Sequence, residues 1–568
     1  MAGQDEYEFL HVLVRDVAYG QIPRRDRIAK HRAAAAWIER LAEDRPTAHA
    51  ELASHHYVEA LELAQRLGDH EEAPALRTRA VASLALAGDG ARNLDLVKAE
   101  SLYQRALALA TRDDPLRGRL LGRLGLTTQF VGQLPVAERL CREAIETLEA
   151  GGDTEGAASV RVSLIQILWR LGKPAEERRR MLADAIAGLE AADAGSELVY
   201  AYSQMAALEL YEGRAPATLE WGSKARATAD RLGAPGLKCE PLHYVGIARF
   251  EMGDVGGIED VRTAVQLGLE AGLSWDTGMA QTDLGAMLWL NDGPAAGLEA
   301  KRAAIAFGAD RGLTYHERST EAESLWLQFD GGHWDDLVAS ADRLLEWERA
   351  RGGGRITGIA LTAKARVLAE RGDVAAALEL VPEILTRARG LGDSQDLVPA
   401  FATAAAIHAA AGDGPAALQL VRELADATRD RDPSKRAHEL PTMTRAAIAF
   451  GAPDVARAMV PDGQPNYLRS RLCIAASRAM LAESDGALEE ASWLYAEAAA
   501  GLAAYGWPFE EAHANLGAAR CLIALGRRED ATAPLRRARE LATALGANPM
   551  LDAISKLEAD LEREPVSA

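Results

Sequence analysis

The stretch LGRLGLTTQFVGQLPVAERLCREAIE, residues 121–146, contains the pattern that decides the fold. Gly132 stands between two segments whose apolar residues are spaced as on amphipathic helices. Gly125, seven residues before it, is small, and Ala144, twelve residues after it, is apolar. The same arrangement returns about every 40 residues along the chain. It therefore predicts a protein built from repeated helix–turn–helix units.

Glycines mark the ends of the predicted helices. One series, spaced by 35 to 41 residues, is Gly132, Gly172, Gly213, Gly253, Gly293, Gly332, Gly372, Gly412, Gly451, Gly486 and Gly526. A second series, half a period out of phase, is Gly152, Gly233, Gly272, Gly312, Gly353, Gly392, Gly506 and Gly546, with gaps near Ala192 and Asp430. Glycine is favoured just after a helix because it adopts positive φ without a Cβ clash. The two series predict helices of about 15 to 18 residues, two per repeat.

The register of the repeat supports this reading. The residue seven places before each turn glycine is mostly small, which lets two helices approach closely. The residue twelve places after it is apolar in all but one repeat, which predicts a buried seam. The exception is Asp184, and in this repeat we expect the buried position to be shifted by one residue. In the repeat of Gly451 the second helix should be cut short by Pro461, Gly463 and Pro465.

The pattern resembles the tetratricopeptide repeat over roughly residues 74 to 546. Leu124-Gly125, Gly132, Ala137 and Ala144 fall on the Leu-Gly, turn, Ala and Ala positions of that family. The resemblance implies an all-α, right-handed α-solenoid of about 11–12 helix hairpins, in a long variety with a period near 40 residues. We assign residues 74–548 to this solenoid and residues 549–568 to a capping helix and tail.

The same resemblance points to a candidate binding surface. In tetratricopeptide arrays the first helices of the hairpins line a concave groove in which partner peptides bind. Polar or aromatic residues of first helices that such a groove would present are Gln166, His243, Asp283 and Trp326. In contrast, Trp169, Phe250 and Phe329 share one place, three residues before a turn glycine, and this shared register favours packing.

Composition excludes several classes of function. The net charge of −20 opposes nucleic-acid binding, because an acidic surface repels phosphates. The four cysteines are far apart and predict neither a zinc site nor a disulfide framework. No apolar run is long enough to span a membrane. We therefore expect a cytoplasmic protein with no cofactor and no metal.

The N-terminal segment differs from the repeats. Residues 1–45, including the string from Phe9 to Tyr19, resemble the end of the winged-helix region that follows the nucleotide-binding core of bacterial signal-transducing ATPases. Those proteins carry class III nucleotidyl cyclase or LuxR-type domains elsewhere and a tetratricopeptide arm at the C-terminus. Residues 46–73 continue the likeness as connecting helices. The family's phosphate-binding loop is missing, since Gly172-Lys173 is followed by Pro174. The resemblance thus implies the C-terminal part of such a regulator.

Other candidate sites have simpler explanations. His55-His56 with Glu51 or Glu59 invites a metal site, but adjacent helical side chains point about 100° apart and share a ligand poorly. Gly352-Gly353-Gly354 follows a helix and not the strand that a dinucleotide site requires, so an inter-repeat turn is favoured.

The leading hypothesis is a non-catalytic scaffold or sensor arm of a bacterial signalling ATPase regulator. Its partner would be a protein or peptide, or a small effector, held in the concave groove. One alternative is the regulatory part of a nucleotidyl cyclase or ATPase whose catalytic domains are missing from this chain. Another is the arm of a LuxR-type transcriptional regulator.

Overall fold

A computed structural model describes residues 12–42, 46–351, 353–429, 436–461 and 466–562, and in these ranges the regular structure is helical with no strand. The chain divides into two compact units. The N-terminal unit comprises Met1–Val131 and Arg139–Ala157, and the C-terminal unit comprises Gly132–Glu138 and Ala158–Ala568.

The helices of the first part of the chain are α1 (Val12–Gln21), α2 (Arg24–Leu41), α3 (Ala50–Leu67), α4 (Ala73–Ala91), α5 (Leu96–Leu109), α6 (Arg117–Phe130) and α7 (Leu134–Ala150). Of the segment predicted to resemble a winged-helix region, residues 1–11 and 43–45 lie outside the described residues.

The helices that follow are α8 (Thr154–Arg170), α9 (Ala175–Ala191), α10 (Gly195–Tyr211), α11 (Ala215–Leu232), α12 (Cys239–Glu251), α13 (Gly257–Ala271), α14 (Ser274–Asp292), α15 (Pro294–Ala309), α16 (Thr314–Asp330), α17 (Trp334–Arg349), α18 (Arg355–Glu370), α19 (Val374–Leu391), α20 (Ser394–Ala410) and α21 (Gly414–Ala427). The last group is α22 (Leu440–Ala449), α23 (Pro453–Met459), α24 (Leu468–Ser484), α25 (Leu488–Tyr505), α26 (Pro508–Ala524), α27 (Arg528–Leu545) and α28 (Asn548–Glu562). From α6 onward the even-numbered helices to α26 precede a turn glycine, and from α10 onward each of them packs on the next helix as a hairpin. The repeat architecture predicted from the sequence is therefore confirmed.

The predicted turn glycines have the expected conformation. Every glycine of both series has a positive φ, between 63° and 106°. At the predicted gap near Ala192, the positive φ falls on Asp193 at 51°, the one non-glycine residue of the described chain in this region of conformational space. The gap near Asp430 lies outside the described residues.

The register predictions are also confirmed. Ala144, Leu344 and Leu424 are fully buried at the seam position, while Asp184 is exposed and its neighbour Ala185 is buried. The expected one-residue shift is therefore present. In the short repeat, α23 has only seven residues. Of the three residues predicted to end it, Gly463 and Pro465 lie outside the described residues.

Small residues allow close helix packing where the sequence predicted it. A Cβ built on Gly257 of α13 would lie 2.1 Å from the carbonyl oxygen of Gly246 in α12, so these two backbones touch directly. Phe250 and Phe329, predicted to pack, are buried in the core.

The core of the C-terminal unit joins hairpins that are far apart in sequence. Phe329 and Trp334 of α16 and α17 contact Phe509 of α26, with ring centroids 5.7 and 5.4 Å from its ring. Phe250, at the end of α12, stacks on Tyr467 at 5.5 Å. Hairpins that are far apart in sequence therefore pack on each other within the unit.

No helix in the described ranges is both long enough and apolar enough to cross a membrane.

Candidate ligand-binding cleft

A cleft lies in the C-terminal unit. Its empty volume, including the space open to solvent, is about 1880 Å³. Most of its lining comes from first helices of hairpins, chiefly α14, α16, α18 and α20. The aromatic residues of the lining are Trp169, Tyr211, Trp275, Trp289, Tyr315, Trp326, Phe329 and Trp507.

Helix α16 shows why one face of a first helix meets the cleft. Its lining residues include Tyr315, Ser319, Glu323, Trp326 and Asp330, which recur every three or four positions. That spacing follows the turn of an α-helix, so these side chains form one stripe. Polar residues are present in this stripe because it faces the cleft, whereas the seams between helices are apolar.

One group of charges is centred on Glu323. Its carboxylate accepts hydrogen bonds from Lys301 Nζ at 2.8 Å and from Arg355 Nη1 at 3.2 Å. Burial alone would raise the pKa of Glu323, but the charges of Lys301 and Arg355 outweigh it and lower the pKa to about 2. Arg355 Nε also donates to Asp396 at 3.2 Å, and there burial prevails and raises the pKa of Asp396 to about 6.

A second group is centred on Asp330. Arg469 Nε and Trp289 Nε1 each donate to Asp330 Oδ2 at 2.8 Å. The Arg469 guanidinium also lies over the rings of Trp289 and Trp507, 4.7 and 4.2 Å from their centroids. These contacts fix Arg469 by both charge and cation–π attraction.

Arg170 stacks between two aromatic rings. Its guanidinium lies 4.6 Å from the centroid of Trp275 and 5.0 Å from that of Tyr315. Nη2 donates to Gln166 Oε1 at 3.4 Å. Burial lowers the pKa of this guanidinium. The cleft thus repeatedly combines arginines with aromatic faces.

The four residues predicted for a groove have different positions. Asp283 and Trp326 line the cleft, whereas Gln166 and His243 do not. The structure brings two of them together, because His243 Nε2 and Asp283 Oδ2 are 2.8 Å apart. Gln166 Nε2 donates to Gln204 Oε1 at 2.7 Å in the neighbouring first helix. A binding role for each of the four stays a prediction.

Sequence reasoning missed most of the charged lining. Glu323, Asp330, Arg355, Asp396 and Arg469 carry no motif, and their ion partners lie on other hairpins. A usable signal was available, since all five sit on first helices, the helices that the resemblance places along the groove. Trp169, assigned to packing by register, stacks on Tyr211 at 4.6 Å and lines the cleft as well.

The other candidates from sequence have ordinary environments. His56 Nδ1 lies 2.9 Å from His31 Nδ1, and burial lowers the pKa of both rings. Among the described residues no group of three or more His, Cys, Asp and Glu side chains is arranged to hold a metal. Gly353 occupies a turn with φ of 73°, and Gly352 lies outside the described residues.

The helix hairpins define the class of protein, an all-α helical repeat protein. No family model matches the chain. No curated protein matches it either.

Among solved structures, the chain is similar to a Rap protein complexed with competence and sporulation factor, with 14% identity, a TM-score of 0.39, and coverage of 72% of this chain and 99% of the other. It is also similar to yeast Tom70, with 14% identity, a TM-score of 0.24, and coverage of 95% and 96%. A third is a signal transduction ATPase with numerous domains and a tetratricopeptide repeat sensor from Pyrococcus horikoshii, with 16% identity, a TM-score of 0.31, and coverage of 66% and 54%. These similarities are too low to bear on function.

Proposed function

We propose that the C-terminal unit is a non-catalytic interaction module that binds an extended peptide segment of a protein partner in the cleft. The observation that carries this proposal is the lining itself. One continuous cleft presents aromatic and charged side chains from hairpin after hairpin. Such a surface offers many small pockets in a row, as peptide recognition requires.

The contacts between distant hairpins favour an extended peptide over a folded domain as the ligand of the cleft. Trp169 Nε1 donates to Asp393 at 2.7 Å, and Tyr467 stacks on Phe250, so distant hairpins meet beside the cleft. A globular domain would have to break these contacts to reach the inner lining. A single extended chain would not.

The charged side chains of the cleft are suited to orienting a ligand and not to catalysing a reaction. Glu323, Asp330 and Asp396 are all held in ion pairs with cleft arginines or lysine. Paired charges of this kind position a ligand and give specificity. The aromatic side chains, including Trp275 and Trp326, would supply most of the binding energy, because large aromatic anchors dominate interfaces.

The cellular setting is drawn from the N-terminal sequence. Its resemblance to the end of a winged-helix region supports an arm of a cytoplasmic bacterial signalling ATPase regulator. The regulated catalytic domain would then be an ATPase or nucleotidyl cyclase, or the output a LuxR-type domain. We expect the purified chain to be inert, and ATP turnover by it alone would contradict this assignment.

Random-peptide display on the purified chain tests the binding function. Peptides enriched on the wild type are synthesised and their Kd is measured by fluorescence anisotropy. Trp326→Ala should weaken binding by about tenfold or more, the effect of removing an aromatic anchor. Trp493→Ala is the matched control, since Trp493 is 61% exposed and is not part of the cleft lining.

A second variant distinguishes loss of peptide binding from loss of folding. Ser319→Phe places a ring in the cleft without removing a packed side chain, and it should also block the peptide. Equal affinity in wild type, Trp326→Ala and Ser319→Phe, or no enriched peptide at all, would contradict the proposed function.

A further inference from the structure

Trp507 has an unusual position in the cleft. It directly precedes α26, lines the cleft, and is only 4% exposed. Arg469 covers one face of its ring at 4.2 Å. The indole Nε1–H is buried, yet no described residue accepts a hydrogen bond from it.

Three other indoles of this unit, one of them the buried Trp334, do have acceptors. Trp169 Nε1 donates to Asp393 at 2.7 Å, Trp289 Nε1 donates to Asp330 at 2.8 Å, and Trp334 Nε1 donates to the carbonyl oxygen of Phe329 at 3.1 Å. Buried polar groups are nearly always paired, because leaving one unpaired costs free energy. The Trp507 donor is therefore a group that a ligand could satisfy.

The nearby carboxylates of Asp330 and Glu510 already accept hydrogen bonds from other residues. Asp330 receives hydrogen bonds from Arg469 and Trp289. The two oxygens of Glu510 receive hydrogen bonds from Nη1 and Nη2 of Arg445 at 2.7 and 2.6 Å. A ligand that brings an acceptor into the cleft would pair this donor.

The surrounding charges select a neutral acceptor. Asp330 and Glu510 already balance Arg469 and Arg445, so a ligand carboxylate would add an uncompensated negative charge beside two acidic side chains. A carbonyl oxygen accepts the same hydrogen bond without that penalty. An extended peptide carries one such oxygen on every residue.

We infer that the Trp507 indole N–H binds a backbone carbonyl oxygen of the partner peptide. This inference rests on the proposed function and adds the chemistry by which the chain reads its ligand. It also predicts different effects on peptide affinity and on the stability of the free protein. Removing the N–H weakens peptide binding but does not destabilise the free protein, since no described residue accepts its hydrogen bond there.

The test replaces the N–H alone. Incorporation of β-(3-benzothienyl)alanine at position 507 keeps the bicyclic ring and substitutes sulfur for N–H. The probe is the tightest peptide recovered by random-peptide display. We expect about five- to tenfold weaker binding, with an unchanged or higher Tm. The same isostere at position 493 should change neither quantity.

A thioamide scan of the peptide identifies the acceptor, because sulfur accepts hydrogen bonds more weakly than oxygen. One carbonyl position should weaken binding to the wild type and have no effect on the benzothienyl variant. If the isostere at 507 leaves affinity unchanged while Trp326→Ala weakens it, the inference fails and the proposed function stands. If no displayed peptide binds the wild type, both fail.

Discussion

Arg178 and Asp393, 215 residues apart in sequence, form a buried ion pair in the C-terminal unit. Nη2 of the arginine lies 3.1 Å from Oδ1, and the two side chains are only 2% and 1% exposed. The other carboxylate oxygen accepts the hydrogen bond of Trp169 at 2.7 Å. Because Trp169 lines the cleft, this pair ties the cleft wall to a contact between distant hairpins.

Removing one partner of this pair should destabilise the unit locally. Asp393→Ala leaves the Arg178 charge buried without its counter-ion, and we expect a loss of about 3–5 kcal/mol in the opening free energy. Hydrogen exchange of α8, α9 and α20 measures it. The exposed pair Arg389–Glu423 is the control, and Arg389→Ala should cost less than about 1 kcal/mol. Equal losses in the two variants would show that the buried pair has no special role.

Asp193 should be a site of easy stabilisation. It holds a φ of 51° at a turn where the sister positions are glycine. Asp193→Gly removes the Cβ clash of left-handed backbone and should raise stability by about 1 kcal/mol. Gly233→Asp is the reciprocal change, at a turn with φ of 63° and no atom near a new Cβ. It should lower stability by a similar amount, measured by urea denaturation. A shift of the same sign in both variants is not compatible with this reasoning.

Close approach of α12 and α13 depends on the absence of side chains. Gly257→Ala would bring a methyl group against the Gly246 carbonyl and should cost about 1–3 kcal/mol through overpacking. Gly188→Ala in the exposed part of α9 meets nothing nearer than 3.9 Å and should instead stabilise by about 0.5–1 kcal/mol. Thermal unfolding distinguishes the two signs, and a stabilised Gly257→Ala would refute the packing.

His316 should make stability depend on acid pH. Burial lowers its pKa from 6.5 to about 4, although the hydrogen bond to the Ala304 carbonyl oxygen opposes this shift. The unfolded chain therefore binds a proton first as the pH falls. Neutral His316 contributes up to about 3 kcal/mol to the free energy of unfolding. This contribution is complete above pH 6.5 and is lost as the pH falls from 6.5 to 4.

His316→Gln keeps a donor for the Ala304 carbonyl but does not titrate. The stability difference between wild type and variant should therefore shrink or reverse toward pH 4, as followed by urea denaturation at each pH. A difference that is constant from pH 7 to 4 would show that folding does not change the pKa of His316.

Much of the fold was predictable because its rule is local. Each turn needs a residue with positive φ, so the glycines could be read one by one from the sequence. Asp193 escaped this reading because aspartate tolerates the left-handed region well enough to replace glycine. The expected one-residue shift at Asp184 followed from the same local periodicity.

The cleft was much less predictable because its contacts are not local. Asp393 meets Trp169 and Arg178 only when hairpins more than 200 residues apart come together. The repeat fixes which face of α16 turns inward, and so Trp326 was a reasonable candidate. It does not reveal that Arg355 would pair with both Glu323 and Asp396, since that depends on the rotation between successive hairpins.

Hydrogen–deuterium exchange of the full chain, with and without a saturating peptide from the display selection, locates the surface that the peptide covers. We expect protection to be concentrated in α14, α16, α18 and α20, whose residues line the cleft. Protection confined to the outward second helices, such as α25 with its exposed Trp493, would contradict it.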